Sequence, residues 1–169
     1  MNIKLAEIAK EEAAKNYHGY VCGTEANLHP VVSSFPPWDM RKWDAHWGAA
    51  FVYYCCRKAE FNLPVRYPDA RVSCNFAGCV AWEQWSMLED VKRWVFYSPE
   101  IICEPGDVAI FDSVTEGVIH ERIGIVVEDR GDVILVAEGN FNNVSALVER
   151  KKDNHIRGYV KMDVTENNE

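Results

Sequence analysis

Six cysteines and five histidines are the residues of this chain that could carry nucleophilic or metal chemistry. A thiolate attacks a carbonyl after an imidazole has taken its proton, and both side chain types bind zinc. Cys74 and Cys79 are five positions apart, and no second Cys or His pair at zinc-ligand spacing accompanies them. Their spacing therefore favours packed thiols over a zinc site, and the sequence implies no cofactor.

The start of the chain bears on the state of these thiols. Residues Met1–Lys15 alternate charged and apolar side chains and lack the apolar core of a signal peptide. We therefore expect a cytoplasmic location with reduced thiols, and release by lysis or a dedicated export machine stays open. The adjacent Cys55 and Cys56 support this, because neighbours on a helix point about 100° apart and rarely bridge each other.

Composition narrows the classes of partner. The chain has 169 residues, 48% of them apolar, and no internal repeat, which predicts one domain over residues 1–169. Its net charge of −8 and the lack of a Lys/Arg stripe argue against nucleic acid, since only Arg150–Lys152 form a basic cluster. The longest apolar runs, such as Gly48–Cys56, are far shorter than the roughly 20 residues of a membrane span.

The first half of the sequence predicts helices separated by a long loop. Met1–Lys15 has the pattern of an amphipathic helix, and residues 16–39 are rich in Gly, Pro and Ser. Asp44 is a candidate N-cap for a helix that runs to about Glu60 and is apolar on nearly all sides, so it should be buried. A further helix is predicted over Ala77–Trp85.

The second half has the two-residue period of strands. A turn at residues 104–107 precedes the apolar run Val108–Phe111, and two β-branched runs flank a hairpin signal at residues 129–132. Further strands are predicted at Ala146–Lys151 and Ile156–Val164. Helices followed by an antiparallel meander of about five or six strands indicate an α+β fold.

Four segments of the chain, in order, resemble those of the CHAP family, the cysteine- and histidine-dependent amidohydrolases and peptidases related to NlpC-type wall hydrolases. Family members show Trp-Cys-Ala-x-Phe-Val at the start of a buried helix, a Pro-Gly-Asp turn before a strand, His-x-Gly-Ile-Val in the next strand, and then Glu-Gly-Asn. The corresponding segments here, within residues 43–143, are Trp47–Val52, Pro105–Phe111, Arg122–Val126 and Glu138–Asn140. The resemblance implies a papain-like fold in which N-terminal helices pack on the sheet.

The resemblance also implies a catalytic arrangement, and this chain departs from it. It places Gly48 at the position of the nucleophilic thiol, Arg122 at that of the imidazole base, and Glu138 or Asn140 at that of the group that orients the base. A glycine has no nucleophile, and a guanidinium with a pKa above about 12 is no base near neutral pH. Both losses predict a degenerate enzyme.

Other residues are weak substitutes for the missing pair. His120 precedes Arg122 by two positions, so in a strand it would face the same groove about 6 to 7 Å away, too far to serve a nucleophile at position 48. Cys55 and Cys56 lie two helical turns inside the expected core. His46 and Asp44, with His120, could be imagined as a metal site, but an N-cap and a helix-start residue explain the first two.

Two further interpretations concern the groove itself. Arg122 could pair with Glu138 across a hairpin, which is the favoured interpretation, or its guanidinium could hold a carboxylate ligand. Most of the six tryptophans are expected in the core, whereas Trp38 and Trp43, with Trp47 at the helix start, are the candidates for a ligand-binding cleft.

Three functions remain open on the sequence. The first is a CHAP-like module that binds a peptidoglycan stem peptide, another peptide or a protein without catalysis. The second is an active cell-wall cysteine amidase or peptidase whose nucleophile is unrecognised or was removed artificially. The third is a structural or regulatory protein whose groove is closed.

Overall fold

The computed structural model describes residues 1–37, 46–64, 68–112 and 117–163 of the chain. In this part of the chain four helices precede or flank one six-stranded sheet. The α+β class and the antiparallel sheet predicted from the sequence are confirmed. Trp38, Trp43 and Asp44 lie outside the described residues.

The helices belong to the first half of the chain, as their apolar periodicity predicts. The first begins after Asn2, whose side-chain oxygen accepts a hydrogen bond from the Leu5 N–H at 3.0 Å. The short second helix, at His29–Val32, was not predicted, and it lies inside the expected loop. The bounds are α1 Ile3–Ala13, α2 His29–Val32, α3 Gly48–Lys58 and α4 Cys79–Ser86.

The third helix starts later than predicted. Its N-cap is Trp47, with no side-chain hydrogen bond to the helix, and the predicted N-cap Asp44 lies outside the described residues. Seven of its eleven residues are buried, in agreement with its apolar sequence. Gly48, the first residue of α3, therefore stands at the end where the N–H groups have no intrahelical partner.

All neighbouring strands of the sheet are antiparallel, in the order β1-β6-β2-β3-β4-β5. The three-residue β1 was not predicted, because it is too short to show a period. The bounds are β1 Trp94–Phe96, β2 Val108–Phe111, β3 Arg122–Asp129, β4 Val133–Phe141, β5 Val144–Lys151 and β6 Ile156–Val160.

The helices α1 and α3 cover one face of the sheet. Phe51 of α3 lies close to Gly139 of β4, where a Cβ on the glycine would be 2.5 Å from the Cβ of Phe51. The other face carries a smaller apolar cluster that includes Phe111, Val136 and Tyr159. Because Gly139 lets α3 approach β4, the start of the helix lies beside the end of the strand.

Candidate functional site

A cavity of about 230 Å³ lies where the ends of two helices and a strand meet. The start of α3 contributes Gly48, the start of α4 contributes Cys79, and the start of β3 contributes Arg122. His46, His120, Glu121 and Asn140 are further polar residues of its lining. The cavity therefore brings together four of the residues selected from the sequence, namely Gly48, His120, Arg122 and Asn140.

Gly48 leaves the amino end of α3 without a side chain. A Cβ at this position would lie 3.2 Å from the carbonyl oxygen of Gly139 and 3.7 Å from Cγ2 of Ile123. The first distance is slightly tight and the second is an ordinary contact, so a small side chain would fit after a shift of a few tenths of an ångström. The site is consequently open to a ligand or to a restored side chain.

Arg122 does not pair with Glu138, contrary to the favoured expectation. The register places Gly124 opposite Glu138, so Arg122, two residues earlier, lies beyond Glu138 at the Asn140 end of β4. Its Nη1–H donates to the Asn140 carbonyl oxygen at 2.9 Å, and no carboxylate of the described residues lies within ion-pair distance of its guanidinium. The charge of Arg122 is thus not neutralised by a neighbour in the described part of the chain.

Glu138 is fully buried and belongs to a different pair. Arg150 of β5 donates from Nε to Oε1 at 2.7 Å and from Nη2 to Oε2 at 2.8 Å. The same guanidinium lies over the rings of Phe111 and Phe141, with its carbon 5.3 and 5.6 Å from their centroids. Glu138 does not line the cavity, so it is not available there to orient a base.

Asn140 reaches the cavity because β4 is irregular at this point. The register shifts between Glu138 and Phe141, and Asn140 has a φ of 58°. Its Nδ2 lies 3.5 Å from Nδ1 of His46, at the limit of a hydrogen bond. Of the two candidate orienting residues, Asn140 is the one beside Arg122.

His120 lies in the cavity wall but outside the strand in which it was expected. It precedes β3 in a bend with φ 52°, so the two-residue strand period does not apply to it. Its Nε2 is 2.5 Å from Oε2 of Glu83, and its backbone N–H donates to Oδ1 of Asp112 at 2.9 Å. Glu83 therefore holds one ring nitrogen of His120, and among the described residues no hydrogen bond joins the other nitrogen to a nucleophile.

Glu83 also binds Arg157, through Nε at 2.5 Å and Nη2 at 3.0 Å. Burial acts to raise the pKa of Glu83, but the hydrogen bonds from Arg157 and His120 outweigh it, and the pKa is lowered. The carboxylate is charged near neutral pH and keeps the bend at His120 in place. This group was not recognised from the sequence, since its members are distant in the chain.

Cys79 is the cavity residue that the sequence analysis assigned to packing alone. It opens α4 after Gly78, and this Gly-Cys start of a helix was the signal available in the sequence. Burial raises the pKa of its thiol to about 12, so the sulfur is protonated near neutral pH. Within the described residues no hydrogen bond joins its Sγ to an imidazole.

Trp47 is a core residue and does not line the cleft, which corrects its assignment to ligand binding. Its side chain is fully buried, and Nε1–H donates to Oδ1 of Asn143 at 3.3 Å. Cys55 and Cys56 are also buried, and burial raises the pKa of both thiols, as expected of packed cysteines. Trp38 and Trp43 stay untested predictions, because both lie outside the described ranges.

Metal binding finds no support in the described part of the chain. No group of three or more His, Cys, Asp or Glu side chains there is arranged to hold an ion. His46 contacts Asn140 and His120 contacts Glu83, so the two imidazoles have different partners. Among the same residues, none of the helices has the length and apolarity required to cross a bilayer.

Comparisons of the chain with protein-family models, with curated proteins and with solved structures find no match.

Proposed function

We propose that this chain is a CHAP-like domain that does not hydrolyse amides and instead binds a peptide, such as a peptidoglycan stem peptide, or a peptide segment of a partner protein. The observation that carries the proposal is the open cavity around Gly48, Arg122 and Asn140. These are positions to which the CHAP resemblance assigns catalysis, and none of the three carries a thiol or an imidazole here.

Amide hydrolysis by a thiol requires a nucleophile and a base within hydrogen-bond reach of each other. Gly48 has no side chain that could supply either, and an arginine side chain is no base near neutral pH. The nearest alternatives do not replace them, since Glu83 holds one nitrogen of His120 and burial raises the pKa of the half-buried Cys79 thiol. Among the described residues, no hydrogen bond joins a thiol to an imidazole at the cavity, which supports a role without hydrolysis.

The lining of the cavity suits binding. Apolar groups from Ala49, Val118 and Ile123 are combined with the polar groups of Arg122 and Asn140. Its volume of about 230 Å³ lies below the roughly 300–1,000 Å³ of clefts that enclose drug-sized ligands. A cavity of this size fits one residue or one end of a peptide rather than a long segment.

The test is calorimetric titration of the purified chain with defined muropeptides, followed by mass spectrometry of the recovered peptide. We expect saturable binding and an intact peptide. Cleavage that a thiol reagent abolishes would instead establish the active hydrolase. An absence of binding at millimolar muropeptide would favour the closed-groove protein.

Reversion of the two positions tests the assignment of their roles. We expect Gly48→Cys alone to be inactive, because no base stands at position 122, and the double variant Gly48→Cys/Arg122→His to gain any activity that the scaffold still supports. The matched control is Gly48→Ala/Arg122→His, which adds the same Cβ beside Gly139 without a thiol. Activity of the single Gly48→Cys variant would contradict the proposal and indicate an artificially removed nucleophile.

A further inference from the structure

We infer that the cavity recognises a carboxylate group of its ligand and that Arg122 is the residue that selects it. The inference rests on the proposed function, because it names the chemistry of the peptide that the cavity holds. It goes beyond that function in assigning a binding role to a residue that the CHAP resemblance places where a base would act.

The first observation is that the Arg122 guanidinium has no ion-pair partner among the described residues. A guanidinium has about five N–H donors, and one hydrogen bond to Asn140 is what the described residues provide. The carboxylate that could have neutralised it, Glu138, is bound by two hydrogen bonds from Arg150 instead. A half-buried arginine with most of its donors unused is suited to bind a carboxylate through two parallel hydrogen bonds.

The backbone at the starts of two helices adds partial positive charge to the cavity, the same sign as the charge of Arg122. The helix α3, of eleven residues, begins at Gly48, and α4, of eight residues, begins at Cys79, and both residues line the cavity. The first N–H groups of each helix carry partial positive charge and have no partner within the helix. They reinforce the guanidinium, which is the group that defines the site.

The other residues of the cavity favour a single carboxylate over a polyanion. Glu121 lines the same cavity, and its negative charge would repel a dianionic phosphate more than a monoanionic group. The net charge of −8 also repels a dianion more than a monoanion, at longer range. The apolar atoms of Val118 and Ile123 suit the aliphatic part of an amino acid residue that carries the carboxylate.

The experiment uses one muropeptide in four forms: with all carboxylates free, with the terminal carboxylate amidated, with the side-chain carboxylates amidated, and with all of them amidated. We expect the fully amidated form to bind the wild-type chain at least about tenfold more weakly than the free form. The two partly amidated forms show whether the recognised carboxylate is terminal or on a side chain.

Variants of Arg122 connect this preference to one side chain. In Arg122→Gln the ratio between the free and the fully amidated forms should fall close to one, and Arg122→Lys should keep part of it because the charge remains. The control is Arg130→Gln, which removes a surface cation that is bound to Glu128 and Glu149. Its ratio should match that of the wild type.

The outcomes separate this inference from the proposed function. If the fully amidated form binds the wild-type chain as tightly as the free form, carboxylate recognition is wrong while peptide binding stands. A preference for the free form that persists in Arg122→Gln also overturns the role of Arg122. If none of the four forms binds, the proposed function and this inference fail together.

Discussion

Glu138 and Arg150 form an ion pair with two hydrogen bonds, of 2.7 and 2.8 Å, between neighbouring strands β4 and β5. The carboxylate is completely buried and has no other cationic partner among the described residues. This pair leaves Arg122 without an acidic partner in the described part of the chain. The charge of Arg122 at the cavity is thus a consequence of a pairing that occurs one strand away.

Removal of Arg150 is expected to destabilise the protein strongly. Arg150→Met would leave the buried carboxylate of Glu138 without a cation, which costs about 3–5 kcal/mol in free energy of unfolding. Urea denaturation followed by circular dichroism measures the loss. The double variant Glu138→Leu/Arg150→Met should recover most of it, because no isolated charge remains.

The control for this prediction is an arginine at the surface. Arg130 is paired with Glu128 and Glu149, both of which are largely exposed. Arg130→Met should change the free energy of unfolding by no more than about 1 kcal/mol. Equal losses for the two arginine variants would show that burial of Glu138 does not govern the stability of its pair.

The decrease in the free energy of unfolding at acid pH should depend on Glu12. Burial acts to raise the pKa of this carboxyl, but hydrogen bonds from Lys15, Lys58 and Tyr17 outweigh it and hold the pKa below its ordinary value. A lowered folded-state pKa contributes stability that is present above the unfolded-state pKa and is lost as the pH falls through the folded-state pKa. Glu12→Gln should therefore destabilise the protein most near neutral pH.

The measurement is the difference in free energy of unfolding between wild type and Glu12→Gln at several pH values. This difference should shrink as the pH falls from about 6 to about 3. Glu11→Gln removes the same charge from an exposed position of α1 and should change stability by less than about 0.5 kcal/mol at either pH. A difference that grows with acidification would contradict the assigned direction.

Two glycines beside the cavity should respond differently to a methyl group. In Gly139→Ala the new Cβ would lie 2.5 Å from that of Phe51, so α3 and β4 must move apart, and we expect a loss of about 1–3 kcal/mol. In Gly48→Ala the closest atom is at 3.2 Å, and the change should stay below about 1 kcal/mol. Thermal unfolding of both variants measures the two losses of stability. Equal losses would contradict the close approach of α3 to β4 at Gly139.

Thiol labelling tests the placement of the cysteines and of the cavity. At neutral pH an aromatic disulfide reagent should label the exposed Cys22 rapidly, the half-buried Cys74 and Cys79 more slowly, and the buried cysteines only after unfolding. The buried cysteines are Cys55, Cys56 and Cys103. A bound muropeptide should protect Cys79 because it lines the cavity.

The variant Cys22→Ser serves as the control for labelling, since it should remove the rapid phase alone. Rapid labelling of Cys55 or Cys56 would contradict the burial of α3. Unchanged labelling of Cys79 at saturating muropeptide would place the ligand elsewhere on the protein.

Strand prediction succeeded where the pattern was local. The turn at residues 104–107 and the apolar run after it predicted β2 with the observed bounds, Val108–Phe111. The hairpin between β4 and β5 was predicted too short, with strands that ended at Glu138 and resumed at Ala146. Asn142 and Asn143 both have positive φ, of 49° and 66°, and form a tight two-residue turn that lets both strands extend.

The predicted pairing of Arg122 with Glu138 was wrong because strand register is not a local property of the sequence. The cross-strand register pairs Glu138 with Gly124 and brings Arg122 to Asn140. A register is decided by contacts along the whole sheet, including the irregularity near Asn140, and charge types alone do not indicate it. The contact of His120 with Glu83 was missed for a related reason, since 37 positions separate the two residues.

The amino-acid sequence by itself determined the order of the longer helices and strands, though not the short α2 and β1. It also determined the burial of α3 and the lack of a nucleophile at Gly48, because periodicity and side-chain chemistry are local properties. Only the tertiary structure decided that the starts of α3 and α4 meet at one cavity and that Glu138 forms its ion pair with Arg150. As a result, Arg122 lines the cavity without an ion-pair partner among the described residues. Ion pairs between strands depend on register and burial, which arise only when distant segments pack together.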